Sequence, residues 1–329
     1  MTAAIARAHL SNEVATALAE RRPVVALETT LVSHGFSAGR GLAAAVESER
    51  RVRAGGAVPA TIGVLDGKIR VGLDQADIER FAEAEAGAAV RKLGARDIAA
   101  CVVQGATGST TVGGTLAVCR MAGIAFLATG GIGGVHRGPA LDISADLAQI
   151  ACTPAVVICS GAKALLDVPA TSELLETLAV PVLGWRTSTL PLFYTADGGP
   201  PVSAVVGDAA EAAGVARAHW AVNPTGGLVL ARPPDAISGE AGGTGAARPA
   251  GPDLEEVIAR AVQQVHAEGV RGQAVTPAVL ARIEELSHGR SVEVNAALIA
   301  GNAALAAEVA VAYTAAPGAA AGSVSGAGR

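Results

Sequence analysis

Lys163 is the residue in this sequence whose setting most directly suggests covalent chemistry. It stands in "VVICSGAKALLD", shortly after an apolar run that has the length of a buried strand. A partly desolvated lysine has a lowered pKa, and its neutral amine is nucleophilic and can form a Schiff base. A lysine at a helix start whose ammonium group reaches solvent is the alternative, and this stretch alone leaves both open.

A carboxyl group occupies a similar place after an earlier apolar run. Glu28 ends "VVALE" within "VVALETTLVSHG", where hydroxyl side chains begin. Burial at the end of a strand raises the pKa of a carboxyl group and suits it to general acid–base catalysis. Capping of an ionised carboxylate by neighbouring hydroxyls and amides is the alternative, and it would give Glu28 a structural role.

The glycine-rich stretch "TGGIGGVHRG" has the composition of a phosphate-binding loop but not its spacing. His136 stands where the pattern G-x-G-x-x-G needs its third glycine, and no G-K-[ST] follows. The glycines could still let backbone amides converge on an anion, or they could serve close packing.

Two further patterns could bind ions. Asp142 and Asp146 in "DISAD" would share one face of a helix that starts there, and carboxylate oxygens suit Mg²⁺ or Mn²⁺ completed by water. A capping aspartate followed by a first-turn aspartate is the alternative. In "GATGSTTVGG", Thr110, Thr111 and the following amides could bind a phosphate at a helix N-terminus or form an ordinary hydroxyl N-cap.

The elements that must position these groups alternate along the chain. Apolar periodicity predicts helices over 12–22, 41–53 and 75–92 and after Thr111 and Asp146. Strands are predicted at "VVALETTLV", "IAACVV", "IAFLAT" and "AVVICS", and "AVPATIGVLDGKIRVGL" reads as two strands joined by a hairpin turn at 66–67. Such alternation predicts an α/β fold with a three-layer α/β/α arrangement around a largely parallel sheet, because parallel strands need crossover connections.

The predicted topology places the reactive groups together. In open parallel sheets, ligands bind at the carboxyl ends of the strands. Glu28, Gly105, Gly130 and Lys163 all follow predicted strands. Their shared position favours an enzyme over a simple binding module.

We expect one catalytic domain. Residues 1–315 are predicted to form a single catalytic α/β domain closed by three C-terminal helices, with a flexible Gly/Pro/Ala-rich insertion at about 232–252. Residues 316–329 are predicted to be a disordered C-terminal tail.

Composition excludes several classes of protein. A net charge of −5 with four Phe, two Trp and two Tyr argues against a nucleic-acid surface. The mean hydropathy is positive, but the longest charge-free run, 98–119, is broken by glycines and threonines, so we expect no membrane span and no signal peptide. The four cysteines form no CxxC pair, which favours a reducing, cytoplasmic location.

Several long blocks of the chain together resemble the pseudouridine-5′-phosphate glycosidase family. The blocks run in order from about residue 23 to about residue 310: "VVALETTLVSHGF", "GAVPATIGVLDGKIRVGL", "TGGIGGVHRG", "DISADL", "SGAKALLD" and "GRSVEVNAALIAGNAALAAEVA". The resemblance implies reversible cleavage of the carbon–carbon glycosidic bond of pseudouridine 5′-phosphate to ribose 5-phosphate and uracil, with one Mn²⁺ per subunit. It implies ring opening of the ribose, a Schiff base on a lysine and release of uracil by a retro-addition, in a cytoplasmic homotrimer.

The resemblance also assigns roles to individual residues. It implies Lys163 as the covalent lysine, Glu28 as the proton donor and Asp142 as the metal ligand. The residues that it implies as substrate contacts are Lys92 on the phosphate side, Val112 through its backbone, His136, Ser144, Ala145, Asp146, and Asn295 as an amide partner for uracil or sugar. The loop between Arg137 and Asp142 is shorter than the usual form of the family, and the 232–252 insertion is longer.

Two other functions remain open from the sequence. The first is a Schiff-base lyase or aldolase acting on another sugar phosphate, which a substrate panel would identify. The second is a catalytically silent sugar-phosphate-binding protein, against which the presence of both Glu28 and Lys163 argues.

Overall fold

The computed structural model describes residues 7–36, 39–82, 89–137, 142–163, 165–196, 198–234, 254–270 and 275–315. The β-strands within these residues are β1 Ala8–Leu10, β2 Val24–Glu28, β3 Val58–Leu65, β4 Lys68–Val71, β5 Arg91–Leu93, β6 Gly108–Thr110, β7 Phe126–Ala128, β8 Val135–His136, β9 Val156–Cys159, β10 Leu166–Asp167, β11 Val182–Trp185, β12 Ala204–Val206 and β13 Leu228–Ala231. The α-helices are α1 Asn12–Ala19, α2 Thr30–His34, α3 Arg40–Ala54, α4 Gln75–Ala82, α5 Ile98–Val103, α6 Val112–Ala122, α7 Ala145–Ala151, α8 Val168–Thr177, α9 Ala209–Val222, α10 Leu254–Ala267, α11 Val275–Leu286 and α12 Arg290–Ala315.

One large sheet organises the chain, and the predicted α/β class is confirmed. Its strand order is β1-β4-β3-β2-β7-β9-β13-β11-β12, and β6 pairs with β3 and carries β5 at its other edge. The run from β3 through β2, β7, β9, β13 and β11 to β12 is parallel throughout, whereas β4 and β6 lie antiparallel to β3. The carboxyl ends of β2, β7 and β9 therefore lie side by side at one edge.

Both faces of the central strands are buried, as a sheet covered by helices requires. Every residue of β2 is buried. Val24 and Ala26 pack into one apolar cluster with residues of α1 and α6, whereas Val25 and Leu27 pack into another with residues of α9 and α12. This alternation is the two-residue period of a strand and defines the two helical layers.

The long helix α12 is the main support of one face. It contacts α3 and α9 and also β2, β7 and β9. By length and composition alone, α12 could cross a membrane, but 67% of its most apolar window is buried within the protein. The three predicted C-terminal helices are present as α10, α11 and α12.

The hairpin predicted at 66–67 is confirmed. Strands β3 and β4 pair antiparallel with Leu65 opposite Lys68. Asp66 and Gly67 have φ values of 50° and 74°, as a two-residue hairpin turn with two left-handed residues requires.

Two predicted elements are wrong. The stretch "IAACVV" is helix α5 and not a strand, so Gly105 does not follow a strand. Its buried residues, Ile98 and Cys101, are three positions apart, which is helical spacing, and Val103 is exposed. The helix predicted over 75–92 ends at Ala82 in the described residues, and Lys92 lies in β5, where it pairs with β6.

The predicted insertion and tail lie almost entirely outside the described residues. Only residues 232–234 of the insertion fall within them.

Candidate active site

Glu28 lies at the carboxyl end of the central sheet and is fully enclosed by protein. It is the last residue of β2, and only 5% of its surface is exposed. Thr129 follows β7, the next strand in the sheet, and its Oγ1 donates a hydrogen bond to Glu28 Oε1. Burial of this carboxyl group favours its protonated form.

Burial and the neighbouring groups act in opposite directions on the pKa of Glu28. Burial raises the pKa of Glu28 above its ordinary value. The charge of Lys163, the Thr129 hydrogen bond and the charge of Lys92 offset part of that rise, whereas the nearby carboxylate of Asp146 adds to it. Glu28 is thus an acid close to two cationic groups.

Lys163 lies beyond β9, where its backbone pairs with the glycine-rich stretch. The Lys163 amide donates to the carbonyl of Ile132 over 3.1 Å, and the Ile132 amide donates to the carbonyl of Gly161 over 3.0 Å. These bonds continue the parallel pairing of β7 and β9 past the strand ends. The side chain of Lys163 is half-buried. Lys163 is therefore not a solvent-directed lysine at the start of a helix.

Lys92 joins the same cluster from β5. Burial and the charge of Lys163 lower the pKa of Lys92 to about 8, although Asp146 and Glu28 act in the opposite direction. The charges of Glu28, Asp146 and Lys163 all act on Lys92, so residues from four separate parts of the chain meet here.

Asp146 is a buried anchor of this cluster. Its Oδ1 accepts a hydrogen bond of 2.8 Å from the Gly113 amide, and its Oδ2 accepts one of 3.0 Å from the Gly133 amide. It thereby joins the N-terminus of α6 to the glycine-rich stretch. The pairing of Asp142 with Asp146 on one helix face is wrong, because α7 begins only at Ala145 and both Asp146 oxygens accept backbone amides.

The glycines of "TGGIGG" allow close packing, and Gly133 is the one that packs against Ser144 and Asp146. A Cβ on Gly133 would lie 2.2 Å from Ser144 Oγ and 2.7 Å from Asp146 Oδ2. Ser144 is the N-cap of α7 and accepts the Asp146 amide over 3.2 Å, and Ala145 is the exposed first residue of that helix. Ser144 and Ala145 therefore lie beside the cluster.

The N-terminus of α6 is an ordinary hydroxyl N-cap. Thr111 Oγ1 accepts the Gly114 amide over 3.2 Å, and the Gly113 amide is bound to Asp146. Thr110 is buried, and its hydroxyl donates to the Ile62 carbonyl. Val112 is fully buried and begins α6, so only its backbone can face a substrate.

His136 and Asp142 face each other across a short antiparallel bridge. The His136 amide donates to the Asp142 carbonyl over 2.9 Å, and Nδ1 of His136 lies 4.0 Å from Oδ2 of Asp142. Within the described residues, no group of three or more His, Cys, Asp or Glu side chains could hold a metal ion. Asp142 is 40% exposed in its side chain, so it fits a cation held by one carboxylate and completed by water and substrate oxygens.

Asn295 lies in α12 and lines a cavity of about 200 Å³. Ser33 and His34 of α2 form another part of its wall. Burial and the charge of Lys92 lower the pKa of His34, so this cavity adjoins the cluster at Lys92.

Thr129, Asn302 and His34 were not singled out from the sequence. Asn302 is fully buried in α12, and its Nδ2 donates to the Thr129 carbonyl over 2.8 Å and to Ser160 Oγ over 3.0 Å. It thus ties together the ends of β7 and β9, next to Glu28. The sequence offers two signals for them: Asn302 is a lone amide side chain within the apolar run "AALIAGNAALAA", and Thr129 ends the predicted strand "IAFLAT".

Comparison with known proteins gives a consistent set of relatives. Residues 13–312 match the family model described as indigoidine synthase A like protein. A pseudouridine-5′-phosphate glycosidase of Chloroflexus aurantiacus is 48% identical over 310 residues, covering 92% of this chain and 97% of the relative. A second, from Herpetosiphon aurantiacus, is 44% identical over 306 residues, with the same two coverages.

A solved structure shows the same fold. The prealnumycin C-glycosynthase AlnA in complex with ribulose 5-phosphate is 40% identical, with a TM-score of 0.80, and the match covers 94% of this chain and 97% of that one.

Proposed function

The chain belongs to the family of the indigoidine synthase A like proteins and the pseudouridine-5′-phosphate glycosidases, and from this premise we propose that it cleaves pseudouridine 5′-phosphate reversibly to ribose 5-phosphate and uracil. The enzyme breaks a carbon–carbon glycosidic bond. The observation that carries the proposal is the convergence of Glu28, Lys92 and Lys163 at the carboxyl edge of the sheet.

Glu28 acts first, as the proton donor. Burial raises the pKa of Glu28, which favours the protonated form that a proton donor needs. It donates this proton to the ribose ring oxygen as the bond between that oxygen and C1′ breaks. The proton that Lys163 loses in the next step returns to Glu28.

Lys163 supplies the covalent step. Its nitrogen forms a bond to C1′. The nitrogen lone pair then forms a C1′–N double bond as the bond from C1′ to uracil C5 breaks, and uracil keeps that electron pair and takes a proton from Glu28. Water adds to the Schiff base and releases ribose 5-phosphate and the free lysine, and the remaining proton restores Glu28.

The remaining site residues bind the sugar phosphate. Lys92, charged below a pKa of about 8, attracts the phosphate. His136, Ser144 and Ala145 face the same substrate, together with the Val112 backbone. Asp146 acts by holding the glycine-rich stretch against α6, through its two amide hydrogen bonds.

The metal and the assembly belong to the same proposal. Mn²⁺, one per subunit, would be held by Asp142 with water and substrate oxygens, and it would neutralise charge on the bound sugar phosphate. We infer a cytoplasmic homotrimer that binds a small-molecule substrate, and neither nucleic acid nor a membrane.

The test is release of uracil from pseudouridine 5′-phosphate by the purified protein with Mn²⁺. We expect turnover by the wild type and loss of at least about three orders of magnitude in Lys163→Met. Lys68→Met, a change of an exposed lysine on β4, is the matched control and retains wild-type activity. If no uracil forms while a glycosidase of the family works alongside, the proposal is wrong, and a sugar-phosphate panel identifies a lyase or aldolase instead.

A further inference from the structure

Asn302 is a fully buried amide within an otherwise apolar stretch of α12. Its neighbours in "AALIAGNAALAA" are alanine, leucine, isoleucine and glycine. Moving an amide out of water costs free energy unless its polar atoms find partners inside the protein. The partners of Asn302 lie just past the ends of β7 and β9, at Thr129, Gly130 and Ser160. The amide of this helix is therefore committed to the carboxyl edge of the sheet.

The first contact of Asn302 replaces a hydrogen bond of the sheet. The parallel ladder of β7 and β9 continues past the strands by one bond, from the Thr129 amide to the Ile158 carbonyl over 3.0 Å. In a regular parallel ladder the next bond would run from the Ser160 amide to the Thr129 carbonyl. The Ser160 amide donates instead to the Gly130 carbonyl over 2.9 Å, and Asn302 Nδ2 donates to the Thr129 carbonyl over 2.8 Å. Asn302 thus takes the place of the next strand where the ladder becomes irregular.

This contact fixes the residue that binds Glu28. The amide of Thr129 is held by β9 and its carbonyl by α12, so its backbone is bound on both sides. The side chain is β-branched, and its χ1 angle is restricted once the backbone is fixed. Its Oγ1 donates to Glu28 Oε1. The orientation of the hydroxyl donor toward the acid therefore depends on the Asn302 amide.

The second contact of Asn302 holds the segment that leads to Lys163. Asn302 Nδ2 donates to Ser160 Oγ over 3.0 Å, and Ser160 Oγ donates to Asn302 Oδ1 over 3.3 Å. An amide nitrogen has two hydrogens, one for Ser160 and one for the Thr129 carbonyl. Ser160 is fully buried and precedes Lys163 by three residues. One side chain thus binds both the donor to Glu28 and the segment of the covalent lysine.

We propose that Asn302 is a positioning residue, which directs the Thr129 hydroxyl toward Glu28 and keeps Glu28 and Lys163 in one fixed arrangement around the bound sugar. The inference rests on the proposed function for the reaction that it serves. Asn302 acts through Thr129 and Ser160, and its importance follows from geometry. A displacement of about 1 Å in a catalytic arrangement can cost about a hundredfold in rate.

The test separates positioning from a general contribution to stability. Asn302→Leu is close in size to the wild-type residue and has no hydrogen-bond donor. Val309→Ala is the matched control, because Val309 is fully buried in α12 and lies seven residues, or about 10 Å, further along the same helix. Three quantities are measured for each protein: kcat and KM for uracil release from pseudouridine 5′-phosphate, the midpoint of urea unfolding, and the infrared titration of Glu28.

We expect Asn302→Leu to lower kcat by about ten- to one-hundredfold, with KM within about twofold of the wild-type value. Val309→Ala lowers the midpoint of urea unfolding but keeps the wild-type kcat. In Asn302→Leu the titration of Glu28 moves to higher pH, because a displaced Thr129 hydroxyl no longer stabilises the carboxylate. Adding Thr129→Val to Asn302→Leu gives no more shift than Thr129→Val alone, because the effect passes through that hydroxyl.

Three results would overturn the inference: Glu28 titrates in Asn302→Leu as in the wild type, the shift adds in full to that of Thr129→Val, or Val309→Ala lowers kcat as much as Asn302→Leu does. Asn302→Asp decides the matter if Asn302→Leu does not fold. A carboxyl group has at most one O–H where the amide has two N–H, so kcat falls about tenfold, and a wild-type kcat overturns the inference. The titration of Glu28 needs no substrate. If the wild type releases no uracil, the proposed function fails, and the titration still decides whether Asn302 positions the donor to Glu28.

Discussion

Replacing Thr129 by Val should raise the pKa of Glu28 further. The Thr129 hydroxyl donates to Glu28 Oε1 and is one of the groups that partly offset the effect of burial on this pKa. A hydrogen bond to a charged group contributes about 1.5–3 kcal/mol, and one pKa unit corresponds to about 1.4 kcal/mol. Its loss should therefore raise the pKa of Glu28 by about 1 to 2 units. Because Lys163 and Lys92 also stabilise the carboxylate, we expect the lower end of that range.

Infrared titration measures this shift directly. The carbonyl band of the protonated carboxyl group is followed against pH, and the band that is missing in Glu28→Gln identifies Glu28. Thr129→Ser keeps the hydroxyl group and is the control, with an unchanged titration. The reasoning is refuted if Thr129→Val titrates like the wild type, or if Thr129→Ser shifts as much as Thr129→Val does.

Three further predictions concern neighbouring groups. Lys92→Met should raise the KM for ribose 5-phosphate about tenfold. In the wild type we expect affinity to fall as Lys92 deprotonates above about pH 8, and in Lys92→Met we expect no such fall. Kinetics between about pH 7 and pH 9 check this, and an unchanged KM contradicts it. Asp146→Asn should lower the free energy of unfolding by about 1–3 kcal/mol, because one backbone amide loses its acceptor. Urea denaturation measures this, with the exposed N-cap change Asp208→Asn as a near-neutral control, and equal effects of the two changes would refute it. Cys119 and Cys159, whose pKa burial raises to about 12, should resist thiol reagents at pH 8 until the protein unfolds; labelling of either in the native protein contradicts their burial.

Sequence patterns predict the sheet well where a strand is central. The runs around Val25, Phe126 and Val157 are fully buried strands, and their apolar character leaves little choice of structure. The run "IAACVV" has a similar apolar composition. At six residues it is too short for its periodicity to distinguish a helix from a strand, and only its packing shows that it is a helix. The sequence pattern predicts a helix at Lys92, because the strand β5 is only three residues long and its pairing with β6 is non-local.

The sequence likewise reveals some residues of the candidate site and not the contacts between them. Glu28 and Lys163 could be found because Glu28 ends a buried strand and Lys163 follows one, and the sheet topology then brings the strand ends together. Hydrogen bonds between distant segments could not be found. The contacts from Thr129 to Glu28 and from Asn302 to Thr129 join residues more than a hundred positions apart, and sequence order carries no signal of them.

Asp146 shows why residue type alone misleads. Its spacing from Asp142 suggests a cation site, but its two oxygens accept amides from Gly113 and Gly133. The glycines on either side leave room for that carboxylate, so the sequence pattern records packing around Asp146.

Trapping the covalent intermediate tests the central claim most directly. The wild-type protein is incubated with Mn²⁺ and ribose 5-phosphate, reduced with borohydride, digested and analysed by mass spectrometry. The account predicts one adduct of the reduced sugar phosphate, located on Lys163 and absent from Lys163→Met. An adduct on Lys92 or elsewhere, or no adduct in a preparation that releases uracil from pseudouridine 5′-phosphate, would contradict it.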